Sequence, residues 1–92
     1  MPRENLISVK ITNKLGMHAR PAALFVQLAS KYKNCDITVC KDGKEVNGKS
    51  IMGMMMLEAG NGSEITIVAR GEKSEQALLE LYQLVTNRFN EE

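Results

Sequence analysis

Hydrophobic and polar residues alternate in three stretches of the 92-residue chain, the pattern of half-buried β-strands. These stretches are LISVKIT (6–12), CDITVCK (35–41) and NGSEITIVAR (61–70). An Asp-Gly pair follows the second stretch and is a strong hairpin signal, so KEVNG (44–48) is predicted to be the return strand. The pattern therefore predicts four strands.

Three other segments carry apolar residues at helical spacing, at residues 19–32, 51–57 and from 74 to Phe89. Ser50 is a natural N-cap for the second of these, in which Ile51, Met54 and Met55 lie on one stripe. The resulting order is βαββαβα. Because a tight hairpin rules out an all-parallel sheet, we expect an α+β fold in one domain, residues 1–92: an antiparallel four-stranded sheet with three helices on one face. The polar residues of the strands predict that the other face is in water: Ser8, Lys10, Thr12, Thr38 and Thr66.

Composition narrows the function classes. The net charge is only +1, the chain has two Phe, two Tyr and no Trp, and no aromatic pair lies on an exposed strand. Both features argue against a nucleic-acid binder. The N-terminal residues lack the apolar segment of a signal peptide, and the longest apolar run, IMGMMML, is too short to insert into a membrane.

The two cysteines are predicted to be free thiols. Cys35 and Cys40 are five residues apart on one predicted strand, which puts them on opposite faces and roughly 16 Å apart, beyond the reach of a disulfide. Free thiols are typical of a reducing cytoplasm, which is the expected location. One histidine and two separated cysteines do not make a metal site, and no cofactor is expected.

The only histidine of the chain, His18, lies in LGMHARPAA (15–23), at or next to the N-cap of the first predicted helix. Pro21 is tolerated only in the first helical turn, which fixes where the helix begins. Unpaired first-turn N–H groups and the positive end of the helix dipole favour an anion there, and the planar cation of Arg20 suits phosphate. Gly16 lets the loop bend, and we expect Gly16 and Ala19 to help bind a phosphoryl group.

GMHARPAA (16–23) resembles the phosphorylated-histidine motif of the HPr family, the small phosphocarriers of the bacterial phosphoenolpyruvate-dependent phosphotransferase system. VNGKSIMGMMML (46–57) resembles the regulatory-serine segment of the same family. The resemblance implies that His18 accepts phosphate on Nδ1 from enzyme I and passes it to a histidine of an EIIA protein. It implies that Arg20 orients the phosphoryl group, that Pro21 fixes the helix entry, and that HPr kinase/phosphorylase modifies Ser50. Such a protein is a covalent intermediate between enzymes rather than a catalyst.

The methionine-rich segment is predicted to contribute to partner binding. Met52, Met54, Met55 and Met56 cannot all face one way on a helix, so about half should be in the core. The expected docking patch consists of Ile51, Met52 and Met55, extended by Met17 beside His18. Negative charge on Ser50 would repel a partner that is complementary to Arg20.

Two other functions stay open. ITNKLGMHARPA (11–22) looks more like the nitrogen-related paralogue NPr, whereas KSIMG (49–53) points to the kinase-regulated branch. A protein interaction module of the same fold that carries no phosphate is the other alternative, although it would not need a nucleophile such as His18. A monomer is expected, because the active-site face must stay open to larger partners.

Overall fold

The computed structural model describes residues 4–91, which form the expected βαββαβα arrangement. The strands are β1 (Glu4–Lys10), β2 (Cys35–Lys41), β3 (Lys44–Asn47) and β4 (Glu64–Gly71); the helices are α1 (Ala19–Ala29), α2 (Ile51–Met56) and α3 (Ser74–Thr86). The strands form one antiparallel sheet in the order β1-β4-β2-β3. The predicted fold class is confirmed.

Alternation along the strands produces one dry and one wet sheet face. Ile67 pairs with Ile7 on one side and with Val39 on the other, and Ala69 pairs with Ile37. Together with Phe25 of α1 and Leu81 of α3, these residues contribute to the core beneath the helices. On the opposite face, the hydroxyls of Ser8 and Thr66 are hydrogen-bonded at 2.9 Å across neighbouring strands.

The ends of two helices differ from the prediction. Helix α1 ends at Ala29 rather than at residue 32, because the N–H groups of Lys31 and Tyr32 bond to carbonyls only three residues back, which tightens the chain into a turn. Helix α3 ends at Thr86, so Phe89 does not continue it. Phe89 is nevertheless buried, because residues 88–90 turn back with positive φ angles of 55° to 61° and place its ring in the core.

Both cysteines are free thiols, Cys35 buried and Cys40 half-buried, as predicted. Burial raises the pKa of each thiol, which disfavours the reactive thiolate. No helix among residues 4–91 is long and apolar enough to cross a membrane. Within the same residues, no three His, Cys, Asp or Glu side chains come together as metal ligands would.

Candidate phosphoryl-transfer site

His18 is the N-cap residue of α1. Its backbone is extended, with φ −115° and ψ −169°, and its carbonyl accepts the N–H of Ala22 at 2.9 Å. Its side chain makes no capping hydrogen bond. The imidazole therefore does not occupy the first-turn donors, which an N-cap side chain ordinarily satisfies.

The first turn of α1 leaves two backbone N–H groups available. Pro21 has no N–H, and the N–H of Ala22 already bonds to His18. The N–H groups of Ala19 and Arg20 have no hydrogen-bond partner within residues 4–91, and both residues are exposed. The helix also has no acidic residue in its first turn that would neutralise its positive end. These two donors and the helix dipole can receive an anion beside the ring of His18.

The flanking side chains differ in burial as their expected roles require. Pro21 is fully buried, at the third position of α1. Arg20 is exposed, and its guanidinium forms no ion pair within the described part of the chain. Its five donors therefore face solvent, where they can reach a phosphoryl group or an acidic partner.

Gly16 holds the His18 loop against the segment that follows α2. Its φ is +70°, and a Cβ there would lie 2.6 Å from both the Ala59 carbonyl oxygen and the Gly60 Cα. The same Ala59 carbonyl accepts the N–H of Met17 at 2.7 Å. The N–H of Gly16 donates to the Asn13 carbonyl at 3.2 Å, and Gly16 permits a close backbone approach; its contribution to phosphoryl binding stays a prediction.

The ring nitrogens of His18 have different surroundings. The side chain is 36% exposed, but Nε2 is buried and faces Oε2 of Glu91 at 3.3 Å, outside hydrogen-bond geometry. Nδ1 is not among the buried, unpartnered atoms of residues 4–91 and forms no hydrogen bond with them, so it is the accessible nitrogen. Glu91 lies 73 residues from His18 and is brought close only by the folded chain, so no local sequence pattern indicates it.

Ser50 is the N-cap of α2, as predicted, and its Oγ accepts the N–H of Gly53 at 3.0 Å. The preceding residue is also anchored: the Lys49 ammonium donates to the Tyr32 carbonyl at 2.7 Å. Helix α2 packs against α1, the helix that begins at His18. The serine and the histidine therefore lie at the N-termini of two contacting helices.

The apolar patch on α2 is only partly as expected. Met52 is 71% exposed, and Ile51 and Met55 are 43% and 40% exposed. Of the four methionines in this helix only Met54 is buried, so the expectation that half would be in the core was wrong. A helix of six residues has a single side facing the core, and Met54 fills it.

Met17 is a second correction. It was expected to extend the patch, but its side chain is only 7% exposed and belongs to the core. The bond from its N–H to Ala59 fixes its backbone at the loop between α2 and β4, so its side chain points inward. The exposed Leu15, 70% accessible, is the apolar residue that the loop presents to solvent instead.

A concavity of about 680 Å³ lies on the polar face of the sheet, the face opposite to the helices. Its lining includes Glu4, Asp36, Thr38, Cys40 and Arg70, and neither His18 nor Ser50. This concavity is therefore separate from both His18 and Ser50.

Comparison with known proteins agrees with this geometry. The family model described as "PTS HPr component phosphorylation site" matches residues 7–87. The HPr-like protein Crh of Bacillus subtilis is 49% identical over 73 residues, 79% of this chain and 85% of the relative. Phosphocarrier protein HPr of Pseudomonas aeruginosa is 44% identical over 86 residues, 92% and 94% of the two chains.

Solved structures are similar over nearly the whole fold. HPr-C-His from Thermoanaerobacter tengcongensis superposes with a TM-score of 0.91 at 46% identity, covering 96% of this chain and 98% of the other. A structure described as an HPr dimer from the same organism has a TM-score of 0.76 at 47% identity, covering 92% and 97%.

Proposed function

This chain belongs to the HPr family of the bacterial phosphotransferase system, and we propose that it carries a phosphoryl group on Nδ1 of His18, from phospho-enzyme I to a histidine of an EIIA protein. One observation carries this assignment to His18. The accessible nitrogen of the only histidine lies at a helix N-terminus whose first two N–H groups have no partner within residues 4–91.

The chemistry needs a nucleophile and a weak anion site. The lone pair of Nδ1 forms a bond to phosphorus while the bond between phosphorus and the donor breaks, and the donor keeps that electron pair. The new phosphoryl group is received by the N–H groups of Ala19 and Arg20 and by the guanidinium of Arg20. A helix terminus contributes about 0.3–2 kcal/mol toward an anion. That amount orients the group without making the adduct too stable to pass on.

The test is the intact mass of the protein after incubation with phosphoenolpyruvate and enzyme I. One acid-labile phosphate is expected on the wild type and none on His18→Ala. Circular dichroism of the variant establishes that it is folded. An unmodified wild type, with enzyme I shown active on another HPr, would contradict the proposal.

Ser50 is the proposed regulatory site, the substrate of HPr kinase/phosphorylase. A phosphate there adds about −1.5 to −2 charge at the start of α2, where the dipole tolerates it. We therefore expect the fold to persist and the effect to fall on docking. The exposed patch of Ile51, Met52 and Met55 lies directly after Ser50, so new negative charge would border the surface that an acidic partner contacts.

Two alternative functions, a nitrogen-branch phosphocarrier and an interaction module that carries no phosphate, can be distinguished by experiment. Sugar-branch and nitrogen-branch functions are distinguished by offering the protein both types of enzyme I and both types of EIIA and comparing transfer rates. An interaction module would bind partners without acquiring phosphate on His18.

We propose a cytoplasmic monomer as the working form, in keeping with two free thiols and an open His18 face. The HPr dimer of Thermoanaerobacter tengcongensis makes oligomeric state a necessary measurement. Light scattering after gel filtration over a range of concentrations should give the mass of one chain, 10.2 kDa. A dimer mass that persists on dilution would contradict the proposal.

A further inference from the structure

Glu91 approaches the side of His18 that faces away from solvent. Its Oε2 lies 3.3 Å from Nε2, and the Glu91 side chain is only 26% exposed. The other oxygen of the same carboxylate, Oε1, accepts a hydrogen bond from Nδ2 of Asn13 at 3.1 Å. One carboxylate therefore spans the distance between an amide and the imidazole.

Asn13 is a buried polar residue, 1% exposed, in the loop that leads to His18. Besides Glu91, its Nδ2 donates to the carbonyl of Gly16 at 2.8 Å, and its backbone carbonyl accepts the N–H of Gly16. Its Oδ1 is buried without a partner among residues 4–91. Burying an amide is costly unless it is hydrogen-bonded, so this position favours a residue that bridges two groups over an apolar one.

The backbone turn that delivers Glu91 is unusual. Arg88, Phe89 and Asn90 have φ angles of 56°, 55° and 61°, a left-handed conformation that is unfavourable for residues with a side chain. The buried ring of Phe89 anchors the turn, and the N–H of Glu91 donates to the Arg88 carbonyl at 2.9 Å. Strained backbone of this kind persists where its surroundings fix it, and here it directs a carboxylate to the candidate site.

We propose that Asn13 and Glu91 are positioning residues for phosphoryl transfer: the amide of Asn13 anchors Glu91, whose carboxylate keeps the ring proton of neutral His18 on Nε2. This inference rests on the proposed function. With the proton on Nε2, the lone pair of Nδ1 is free to attack phosphorus. Bond formation leaves a positive charge on the ring, because the Nε2 proton stays in place, and the carboxylate beside Nε2 stabilises that charge.

The distance in the free protein is compatible with this role. At 3.3 Å, Nε2 and Oε2 of Glu91 are close but not in hydrogen-bond geometry. Hydrogen bonds of reacting groups are often long before the reaction and shorten as charge develops. A carboxylate that orients an imidazole and stabilises its cation is a recurrent device in proteins, and it requires only that the two groups share a fixed geometry.

The first test measures the tautomer of His18 directly and needs no enzyme. Ring ¹⁵N chemical shifts, recorded where the imidazole is neutral, report whether Nε2 or Nδ1 carries the proton. We expect the wild type to be almost entirely Nε2–H, and Glu91→Ala to approach the tautomer mixture of a histidine in an unfolded peptide. Glu45→Gln, which removes an exposed carboxylate from β3, is the matched control and should match the wild type.

The second test is the steady-state rate of phosphorylation by enzyme I and phosphoenolpyruvate. Carboxylates that orient a metal-binding imidazole contribute roughly 10–100-fold to activity, and we expect an effect at the low end of that range here. Glu91→Ala should therefore lower kcat about ten-fold with little change in KM. Glu91→Gln keeps the side-chain shape without the charge, and its kcat should lie between those of the wild type and Glu91→Ala. An unchanged tautomer ratio, an unchanged kcat, or an equal loss in Glu45→Gln would each overturn the inference.

Asn13 is tested through its dependence on Glu91. Asn13→Ala should slow phosphoryl transfer in the wild-type background and have almost no further effect in Glu91→Ala. Both changes interrupt the same series of contacts, from Asn13 through Glu91 to His18. Full additivity of the two losses would overturn the pairing, and circular dichroism of Asn13→Ala shows whether it folds. If the wild type accepts no phosphate, the proposed function fails, while the tautomer measurement still decides the role of Glu91.

Discussion

The N-termini of α1 and α2 use the same structural position in opposite ways. Ser50 caps its helix with its side chain: its Oγ accepts the N–H of Gly53 in the first turn. His18 leaves its helix open, with no capping bond from the side chain. The residues three positions after each cap differ accordingly, since Gly53 supplies a donor and Pro21 has none. The side chain of the cap residue therefore satisfies one first-turn donor in α2 and none in α1, while the first two N–H groups of each helix have no partner within residues 4–91.

The difference explains how each site would respond to phosphate. A phosphoryl group on His18 would be placed beside donors without a partner in the described chain, so it would displace no internal bond. A phosphate on Ser50 would disturb the existing hydrogen bond that Oγ accepts from the Gly53 N–H, and phosphate oxygens would have to accept that N–H instead. A phosphate on His18 would therefore cost no internal hydrogen bond, whereas one on Ser50 would exchange a hydrogen bond and add negative charge to the surface.

The largest expected effect comes from disrupting the close contact that holds the His18 loop against the segment after α2. Gly16→Ala introduces a Cβ 2.6 Å from the Ala59 carbonyl at a φ of +70°, so either the loop or the segment after α2 must move. We expect a loss of roughly 2–4 kcal/mol in the free energy of unfolding and strongly impaired phosphorylation of His18. Urea denaturation and the enzyme I assay measure the two effects.

Gly43→Ala is the matched control for this substitution. Gly43 also has a positive φ, +83°, but a Cβ there meets nothing within 4 Å. Only the conformational cost of about 1 kcal/mol is expected, with normal phosphorylation. Equal destabilisation by the two variants would show that backbone strain, and not the close approach to Ala59, determines the role of Gly16.

A second effect concerns the anchor beside Ser50. The Tyr32 carbonyl accepts a hydrogen bond from the Lys49 ammonium, and the phenol of Tyr32 donates one to Glu80. Burial, and then the bond to Glu80, raises the pKa of Tyr32 to about 12. Because the folded pKa lies above the unfolded value of about 10, the stabilisation is complete below pH 10 and is lost as the pH rises toward 12. The loss approaches about 2–3 kcal/mol.

Unfolding measured between pH 8 and 12 in wild type and Tyr32→Phe isolates this contribution. The wild type should lose more stability than the variant over the upper half of that range. Tyr82→Phe, at a half-buried tyrosine on α3, should follow the wild type. Parallel curves for wild type and Tyr32→Phe would argue against the assigned titration.

A third effect tests whether negative charge at Ser50 controls the phosphorylation of His18. Ser50→Asp keeps an N-cap oxygen and adds a negative charge next to the patch of Ile51, Met52 and Met55. We expect phosphorylation of His18 by enzyme I to slow about ten-fold, mainly through KM, with stability nearly unchanged. Ser50→Asn is the uncharged control. Wild-type rates in Ser50→Asp would refute regulation by charge at this position.

Much of this architecture was predictable from local patterns. Strand alternation, the Asp-Gly hairpin and the N-cap positions of His18 and Ser50 depend on residues that are near in sequence, and these predictions were confirmed. Helix ends were less accurate, because the end of α3 depends on how Phe89 packs in the core rather than on its periodicity.

The contact between Glu91 and His18 could not be predicted, because the two residues are 73 positions apart in the sequence. Nothing in the spacing of charged residues identifies which carboxylate approaches the histidine. The prediction that Met17 extends the exposed patch was wrong for a related reason. Its place beside His18 suggested exposure, whereas the bond from its N–H to Ala59 turns the residue into the core. Tertiary contacts, not local sequence, decide such residues.

The smallest effect is the sharpest test of the contrast between the two helix ends. Ser50→Ala removes the acceptor for Gly53 and should cost about 1 kcal/mol in the free energy of unfolding. His18→Ser supplies a capping oxygen to α1, but only the N–H of Arg20 can use it, since Pro21 has no donor. Relative to His18→Ala, the gain should therefore stay near 0.5 kcal/mol, the low end for an N-cap. Chemical denaturation of the wild type and the three variants resolves this difference when all four are fitted with one common dependence of the free energy of unfolding on denaturant concentration. A gain as large as the Ser50 loss would mean that α1 can be closed from within, and that its open end is not imposed by Pro21.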